Sequence, residues 1–321
     1  MRKNEQKRHP LLLPFPTPPY QEPPTMIRSL LCLLPLVLLG LGLPLPARGE
    51  ALVLVHGYVS GYRTWADSGL LKTLQEAGWR DGGGYTAGGP EGLRPSRIPQ
   101  PAGSRVVYRA DLPSEAPLPV QAQWLKVILD AVKTNHPKEK LLAVGHSAGG
   151  VALRLAMVRN PTLGLHGLIT IASPHLGTDR AVLGRLLGAT PLALFAPLVG
   201  ADTLNRSQEL YQDLLPETDG SPLFRLNRSP HPPAHYISII HAGDGLMDGD
   251  ALVPTRSQDL RQVAALGNRA VSHQIQGDHG LTAADGVLLV RLIETVLKEP
   301  IPPGEASLHP PPMPAAPRLP R

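Results

Sequence analysis

A serine between small residues, near the middle of the chain, is the first group that could do chemistry. The apolar run LLAV at 141–144 leads directly into GHSAG at 145–149, and a helix-forming segment follows at 151–156. A sharp turn from a buried strand into a helix raises a serine hydroxyl above the sheet and holds its backbone in a strained conformation. Strand and helix nearly touch at such a turn, so the flanking positions need glycine. The pattern predicts Ser147 as a nucleophile.

Two backbone N–H groups complete the chemistry that this turn suggests. Ala148 follows the serine, and its N–H would point at a negative oxygen that develops during acyl transfer. A second donor is predicted at Tyr58, because the apolar strand at 51–55 ends in His56-Gly57-Tyr58. His56 orders that turn in either case, since the donor is the backbone. A lone G-x-S-x-G pentapeptide also occurs by chance in glycine-rich turns, and the strand and helix around this one favour the catalytic interpretation.

The elements that must hold these groups alternate along the chain. Apolar runs predict strands at 51–55, 105–108, 141–144, 167–171, 235–240 and 271–275. Helices are expected between them, one from an N-cap at Asp67 to Gly78 and one with a buried stripe made of Val120, Trp124, Val127, Ile128, Ala131 and Val132. Residues 81–104, rich in glycine and proline, are interpreted as a loop. The alternation predicts an α/β fold, with a mostly parallel sheet and helices on both faces.

Three motifs in a fixed order resemble a known family. HGY at 56–58, GHSAGG at 145–150 and SPHLGT at 173–178 are similar to the α/β-hydrolase superfamily. Within it, the chain resembles the lipase and esterase branch, including bacterial triacylglycerol lipases and GPI inositol-deacylase-like hydrolases. The likeness covers about residues 51–299. It implies the α/β-hydrolase fold, a Ser–His–acid triad, an oxyanion hole and cleavage of carboxylic esters without a cofactor.

The resemblance also nominates the other two members of a triad. A catalytic base must lie on a loop that leaves the sheet, so that its side chain can reach the serine. His279 lies on such a loop, within QGDHG, whereas His273 lies inside the last predicted strand. The family's acid follows the preceding strand, often as D-x-x-V-P, which Asp250 matches. Asp244, nearer the strand end, is the runner-up. Asp179 is the third candidate, because some lipases carry the acid one strand earlier. The order Ser147, Asp250, His279 is the one that this fold uses.

Three aspartates in seven residues also raise the question of a calcium site. Asp244, Asp248 and Asp250 could offer the carboxylate oxygens that hard cations prefer. Their spacing does not fit a helix–loop–helix calcium loop. We therefore interpret the segment as a solvated turn and predict no cofactor and no metal.

Residues 179–234 interrupt the alternation and contain many leucines. An insertion between core strands usually forms a cap, and an apolar cap suits a greasy acyl chain. The leucines would equally well pack the cap onto the core, and the two interpretations are compatible. The substrate expected is a small-molecule or lipid ester, with a lipid surface as a further partner.

The start of the chain reads as an export signal. A polar segment at 1–25 precedes a basic start at 26–29, a leucine-rich run at 30–43, and small residues at Ala47 and Gly49. These are the parts of a signal peptide, so we predict export to the periplasm or the extracellular space. A membrane anchor is the alternative, but prolines and glycines break the run. The single cysteine, Cys32, lies inside it, so the mature protein would contain no disulfide.

Charge excludes a nucleic-acid partner. The formal net charge is +5, but residues 1–49 contain six of the 31 basic and only two of the 26 acidic residues, which leaves the rest nearly neutral. Residues 50–299 are predicted to form one hydrolase domain, followed by a disordered tail at 300–321 with nine prolines. The sequence thus predicts an exported serine hydrolase acting on esters. Acyl transfer or thioester cleavage by the same triad, and a catalytically idle binding protein of this fold, are the alternatives.

Overall fold

A sheet of eight strands organises the protein. The computed structural model describes residues 49–87, 92–101, 103–179, 207–243 and 249–302. The chain divides into two units, Met1–Pro46, which lies outside those ranges, and Ala47–Arg321. The strands are β1 Glu50–Val55, β2 Arg80–Ala87, β3 Leu93–Arg97, β4 Val106–Asp111, β5 Lys140–His146, β6 Gly167–Ile171, β7 His235–Ala242 and β8 Ala270–Gln276. Their order is β3-β2-β4-β1-β5-β6-β7-β8, and every neighbouring pair is parallel except β2–β3.

Helices connect the strands. They are α1 Thr64–Asp67, α2 Leu70–Glu76, α3 Leu118–Asn135, α4 Ala148–Arg159, α5 Pro222–Arg228, α6 Thr255–Gln258 and α7 Ala283–Lys298. A further helical segment covers residues 207–213. Short 3₁₀ turns lie at Pro161–Leu163, Leu260–Gln262 and Gly267–Arg269. Within the described ranges, every helix is too short or too polar to span a bilayer.

The apolar strands are buried because helices cover both faces of the sheet. In β1, Val53 packs into a core with the helices α3 and α4, whereas its neighbours Leu52 and Leu54 pack on the opposite face with α2 and α7. Alternate side chains of a strand point to opposite faces, so a strand covered on both sides must be apolar throughout. The α/β class and the mostly parallel sheet predicted from the sequence are confirmed.

The predicted loop at 81–104 is wrong, because it contains the antiparallel pair β2–β3 at one edge of the sheet. Its glycines fill a crowded place. A Cβ at Gly82 would lie 2.5 Å from the ring of Tyr108, and one at Gly83 would lie 1.9 Å from the carbonyl oxygen of Ser96. Glycine in a strand marks such close approaches. Composition alone suggested a loop, whereas the glycines of this strand pair make room for neighbouring atoms.

Two helix details also differ from the sequence prediction. Asp67 ends the short helix α1, and α2 begins separately after Gly69, whose φ of 79° requires glycine. In α3, Val120 and Val127 are 40% and 41% exposed, so the buried stripe is rotated from the predicted one. It consists of Leu118, Gln121, Ala122, Leu125, Ile128, Leu129 and Val132. The apolar residues of α3 extend round too much of the helix for periodicity to define its inner face.

Candidate active site

Ser147 occupies the turn between β5 and α4. Its φ of 51° and ψ of −130° lie in a region that residues other than glycine rarely adopt, at a cost of about 1–3 kcal/mol. The residue is only 7% exposed. Because the strand ends at His146 and the helix starts at Ala148, Ser147 is the one residue that joins them. This is the strained strand-to-helix turn that the sequence pattern predicts.

The glycines beside the serine leave no space for side chains. A Cβ at Gly145 would lie 2.5 Å from the Cα of Gly150, across the turn. A Cβ at Gly149 would lie 2.3 Å from the carbonyl oxygen of His56, at the end of β1. Real Cβ atoms do not approach so closely, so glycine at both positions is required for strand and helix to meet.

The structure places Ser147, His279 and Asp250 in one hydrogen-bonded chain. The hydroxyl Oγ of Ser147 lies 2.8 Å from Nε2 of His279, and Nδ1 of His279 lies 2.8 Å from Oδ2 of Asp250. A carboxylate only accepts hydrogen bonds, so the proton of His279 is on Nδ1. Its Nε2 is then free to accept the serine proton. The side chains come from the ends of β5, β8 and β7, which a parallel sheet aligns at one edge.

The carboxylate of Asp250 is buried and well supplied with donors. It is 1% exposed, and burial alone would raise its pKa. Hydrogen bonds from His279 and from the backbone N–H groups of Val253 and Leu252 outweigh burial, and they lower the pKa of Asp250 below its usual value. The N–H groups of Leu252 and Val253 donate to Oδ1 at 3.0 and 2.8 Å. This turn explains the D-x-x-V-P spacing, because the aspartate closes it before Pro254 leads into α6.

Gln258 supports the carboxylate from behind. Its Nε2 lies 3.3 Å from Oδ2 of Asp250, 2.8 Å from the carbonyl oxygen of Val253 and 3.0 Å from that of His241. Its Oε1 accepts the backbone N–H of His241 at 2.8 Å. The side chain is fully buried. Sequence reasoning missed Gln258, because no motif includes it and only the fold brings it to Asp250.

The loop after β1 carries the predicted oxyanion donors beside the serine. Tyr58 and Ala148 line the same pocket as Ser147 and His279. Within the described ranges, neither of their backbone N–H groups has a protein acceptor. His56 fixes this loop, since its Nε2 accepts the N–H of Leu112 at 3.0 Å and its Nδ1 lies 2.9 Å from the carbonyl oxygen of Gly57. The imidazole orders the turn and leaves the backbone donors free.

The pocket in front of Ser147 is narrow and mostly apolar. Its walls include Leu210, Leu214, Leu252 and Val253. As the described residues bound it, about 20 Å³ is free, which is room for about one water molecule.

A pair of phenols closes one side of the pocket. The hydroxyl of Tyr58 donates to Oγ of Ser207 at 3.0 Å and lies 2.5 Å from the hydroxyl of Tyr211. Burial and the contact with Tyr58 raise the pKa of Tyr211, so its phenol is neutral. These bonds join the loop after β1 to the 207–213 helix, which falls within the segment 179–234 that was expected to form a cap.

Not every other candidate residue falls within the described ranges. Asp244 and Asp248 are outside the described residues, as are the signal segment and most of the tail. Asp179 is exposed, and Asp250 occupies the position beside His279. His273 lies in β8, as expected. In the described part of the chain, no cluster of three or more His, Cys, Asp or Glu side chains could hold a metal ion.

His146 has a contact that the sequence did not suggest. Its Nε2 lies 2.8 Å from the carbonyl oxygen of His279, so it donates to the backbone of the base. Burial and the neighbouring His279 lower the pKa of His146 to about 3, which keeps it neutral at ordinary pH. In the sequence, His146 is only the variable residue before the serine of the G-x-S-x-G pattern. Its contact depends on β5 and β8 ending at the same edge.

Comparison with known families supports the esterase chemistry. Residues 121–238 match the family described as "Putative serine esterase (DUF676)". That segment contains the serine turn but ends before Asp250 and His279. The resemblance to lipases and esterases of the α/β-hydrolase fold is confirmed, as is the predicted enzyme class, a carboxylic ester hydrolase. Among curated proteins, none matches the sequence significantly.

Solved structures give similar shapes at low identity. The product of gene lin2722 from Listeria innocua has a TM-score of 0.48 and 15% identity, and the match covers 78% of this chain and 92% of that one. Bacillus licheniformis lipase BlEst2 in mature form has a TM-score of 0.47 and 17% identity, covering 80% and 94%. A putative cell surface hydrolase from Lactobacillus plantarum WCFS1 has a TM-score of 0.47 and 19% identity, covering 79% and 94%. At these values the likeness does not identify a substrate.

Proposed function

We propose that this carboxylic ester hydrolase works through Ser147, His279 and Asp250, with the backbone N–H groups of Tyr58 and Ala148 as its oxyanion hole. The observation that carries the proposal is the hydrogen-bonded chain from the serine hydroxyl to the buried carboxylate, with both links at 2.8 Å. Nucleophile, base and orienting acid within hydrogen-bond reach are the signature of an activated serine.

The reaction passes through a covalent acyl-enzyme on Ser147, which His279 helps to form and to hydrolyse. Oγ of Ser147 attacks the ester carbonyl while its proton passes to Nε2 of His279. The carbonyl oxygen becomes an oxyanion beside the two backbone N–H groups. When the intermediate collapses, the C–O bond to the alcohol breaks and His279 gives its proton to the departing oxygen. Water then repeats the sequence on the acyl-enzyme and releases the carboxylic acid. Asp250 stays ionised and stabilises the imidazolium at both stages.

The substrate is an ester with an apolar acyl group. Three leucines and a valine, Leu210, Leu214, Leu252 and Val253, surround the space in front of Ser147. Apolar walls bind an acyl chain by removing its surface from water, at about 25 cal/mol per Å². A lipid surface is the natural source of such esters.

The protein is exported. The basic start, leucine-rich run and small residues before Glu50 support this proposal, because they form the three parts of a signal peptide in the right order. The first core strand begins at Glu50, directly after that segment.

The decisive experiment removes the nucleophile. Ser147→Ala should abolish hydrolysis of p-nitrophenyl esters and labelling by a fluorophosphonate probe, with little change in melting temperature, because alanine replaces serine at the same strained φ. Ser68→Ala, away from the site, serves as the control and should behave like wild type. Residual activity above about one thousandth of wild type would exclude Ser147 as the nucleophile.

The same probe and esters, applied to the wild-type protein, test whether the protein is catalytic and which acyl groups it accepts. An idle binding protein of this fold would leave the probe unreacted in the wild-type chain. Rates on p-nitrophenyl esters with acyl chains of about two to sixteen carbons test the substrate class. We expect the ratio kcat/KM to rise as the acyl chain lengthens from two carbons, and a maximum at the acetyl ester would contradict an apolar acyl site.

A further inference from the structure

The loop that carries His279 is held by imidazoles from other strands. This base loop, residues 277–280, lies between β8 and α7. Nδ1 of His241, in β7, lies 2.6 Å from the carbonyl oxygen of Asp278. The backbone N–H of Gly277 donates to the carbonyl oxygen of Ala242 at 2.9 Å. With the bond from His146 to the next carbonyl, three contacts fix the backbone immediately around the base.

His241 must be doubly protonated to make its contacts. Its Nε2 lies 2.6 Å from Oδ1 of Asp285, while Nδ1 faces the carbonyl oxygen of Asp278. Both partners are acceptors, so both ring nitrogens carry protons. The backbone N–H and the hydroxyl of Thr282 donate to Oδ2 of Asp285 at 2.7 and 2.9 Å, which favours the carboxylate form. His241 is therefore an imidazolium paired with a carboxylate.

The surroundings support this charge. The imidazolium and Asp285 are 1% and 0% exposed. Burial alone would lower the pKa of His241, but Asp285, the carbonyl of Asp278 and the charge of Asp250 outweigh it and raise that pKa. Among the described residues, His146, at the end of β5, is a further titratable group that interacts with the pair, and it is neutral. One cation thus lies between two carboxylates.

We propose that His241, as an imidazolium held by Asp285, is the positioning residue that keeps His279 in line with Ser147, through the carbonyl of Asp278. The inference rests on the proposed function, since it concerns the geometry of the same base. A neutral His241 beside the carboxylate would keep its proton on Nε2 and turn a lone pair towards Asp278. Two acceptors would then face each other, and the base loop would shift.

Two substitutions separate loop positioning from simple ion-pair stability. Both remove the ion pair, but only one removes the loop contact. In His241→Gln the amide donates to Asp285 and leaves the carbonyl of Asp278 without a donor. In Asp285→Asn the amide can donate to Nε2, so a neutral His241 keeps its Nδ1 proton for Asp278. The asparagine oxygen still accepts the two bonds from Thr282 that cap α7.

The expected results follow from that asymmetry. His241→Gln should lower kcat about 10–100-fold, because a displacement of the base near 1 Å has that effect, while KM stays within about threefold. Asp285→Asn should retain kcat within about threefold. His273→Gln, in the adjacent strand β8, is the matched control and should equal wild type. A folded His241→Gln variant with kcat within threefold of wild type, or equal losses in both variants, would overturn the proposal.

A spectroscopic measurement tests the charge without relying on turnover. In ¹⁵N NMR of the full-length protein at about pH 7.5, one imidazole should show both nitrogens protonated, and its signal should be absent from His241→Gln. A neutral tautomer at His241 would refute the proposal even if the glutamine variant failed to fold. If Ser147→Ala stays active, the proposed function fails; if only the His241 results fail, the triad stands without this positioning residue.

Discussion

Replacing Asp250 by asparagine should switch the tautomer of the base. Asparagine keeps the size of the side chain, and its oxygen can still accept the two backbone N–H groups of Leu252 and Val253. The amide nitrogen then takes the place of Oδ2, opposite Nδ1 of His279 and Nε2 of Gln258, which both donate. To avoid two facing donors, His279 must move its proton to Nε2. That nitrogen then faces Ser147 and can no longer accept the serine proton.

The expected loss of kcat is that of an enzyme whose catalytic histidine carries its proton on the wrong nitrogen. Nothing that binds the ester in its ground state changes, so KM should stay nearly constant. A comparable substitution in a Ser–His–Asp triad lowers kcat by about 10⁴, and we expect about 10³–10⁴ here. At about 1.36 kcal/mol for each factor of ten, this is about 4–5.5 kcal/mol of transition-state stabilisation. No other single asparagine substitution among the three acid candidates should reach that magnitude.

The assay compares three variants on one soluble p-nitrophenyl ester. Asp250→Asn should be nearly inactive, whereas Asp244→Asn and Asp179→Asn should retain most of the activity. Melting temperatures near that of wild type would show that each variant is folded. The reverse ranking would assign the acid to Asp244. Mild effects at both Asp250 and Asp244 would move it one strand back, to Asp179, and would contradict the role derived from the hydrogen bond to His279.

The remaining predictions concern acid stability and export. Burial lowers the pKa of His146 and His231 to about 3 and that of His175 well below its usual value. The unfolded chain takes up these protons first, so stability should fall as the pH drops from about 6.5 towards 3, and one such histidine accounts for about 2 kcal/mol between pH 6.5 and 5. Urea unfolding at the two pH values measures this, and equal stabilities would contradict it. The exported protein should begin near Glu50, and N-terminal sequencing decides this; an active membrane-bound form with its leader intact would refute cleavage at that position.

The inner strands were predictable because burial on both faces dictates their composition. The apolar run predicted at 167–171 coincides with β6, and the runs for β1, β5 and β7 fall inside the observed strands. The edge of the sheet gave no such signal. Strand β3 contains two arginines and a proline and is mostly exposed, and β2 contains three consecutive glycines. Neither has the apolar alternation from which strands are recognised.

The candidate triad was accessible for a related reason, since each member belongs to a local turn with its own sequence requirements. Ser147 needs glycines on both sides, and Asp250 closes the turn that precedes Pro254. Gln258 and Asp285 have no such signature, because they reach the site only after the sheet has aligned β7 with its neighbours. A glutamine in a short helix and an aspartate in a capping box are each explained locally by solubility or capping. Their contacts with the site are visible only in three dimensions.

Three histidines at or near the carboxyl ends of parallel strands show what such contacts achieve. His56, His146 and His241 end or follow β1, β5 and β7, and each lies within hydrogen-bond distance of a backbone carbonyl in a loop of the site. A buried carbonyl needs a donor, and imidazole supplies one on a short, rigid side chain. His146 does so as a neutral ring and His241 as a cation, because the other nitrogen of His241 faces the carboxylate of Asp285, whereas that of His146 has no hydrogen-bond partner among the described residues. The position of the base therefore depends on a proton donor at His241 that Asp285 of α7, an element outside the proposed triad, holds in place, and the contrast between His241→Gln and Asp285→Asn tests that dependence.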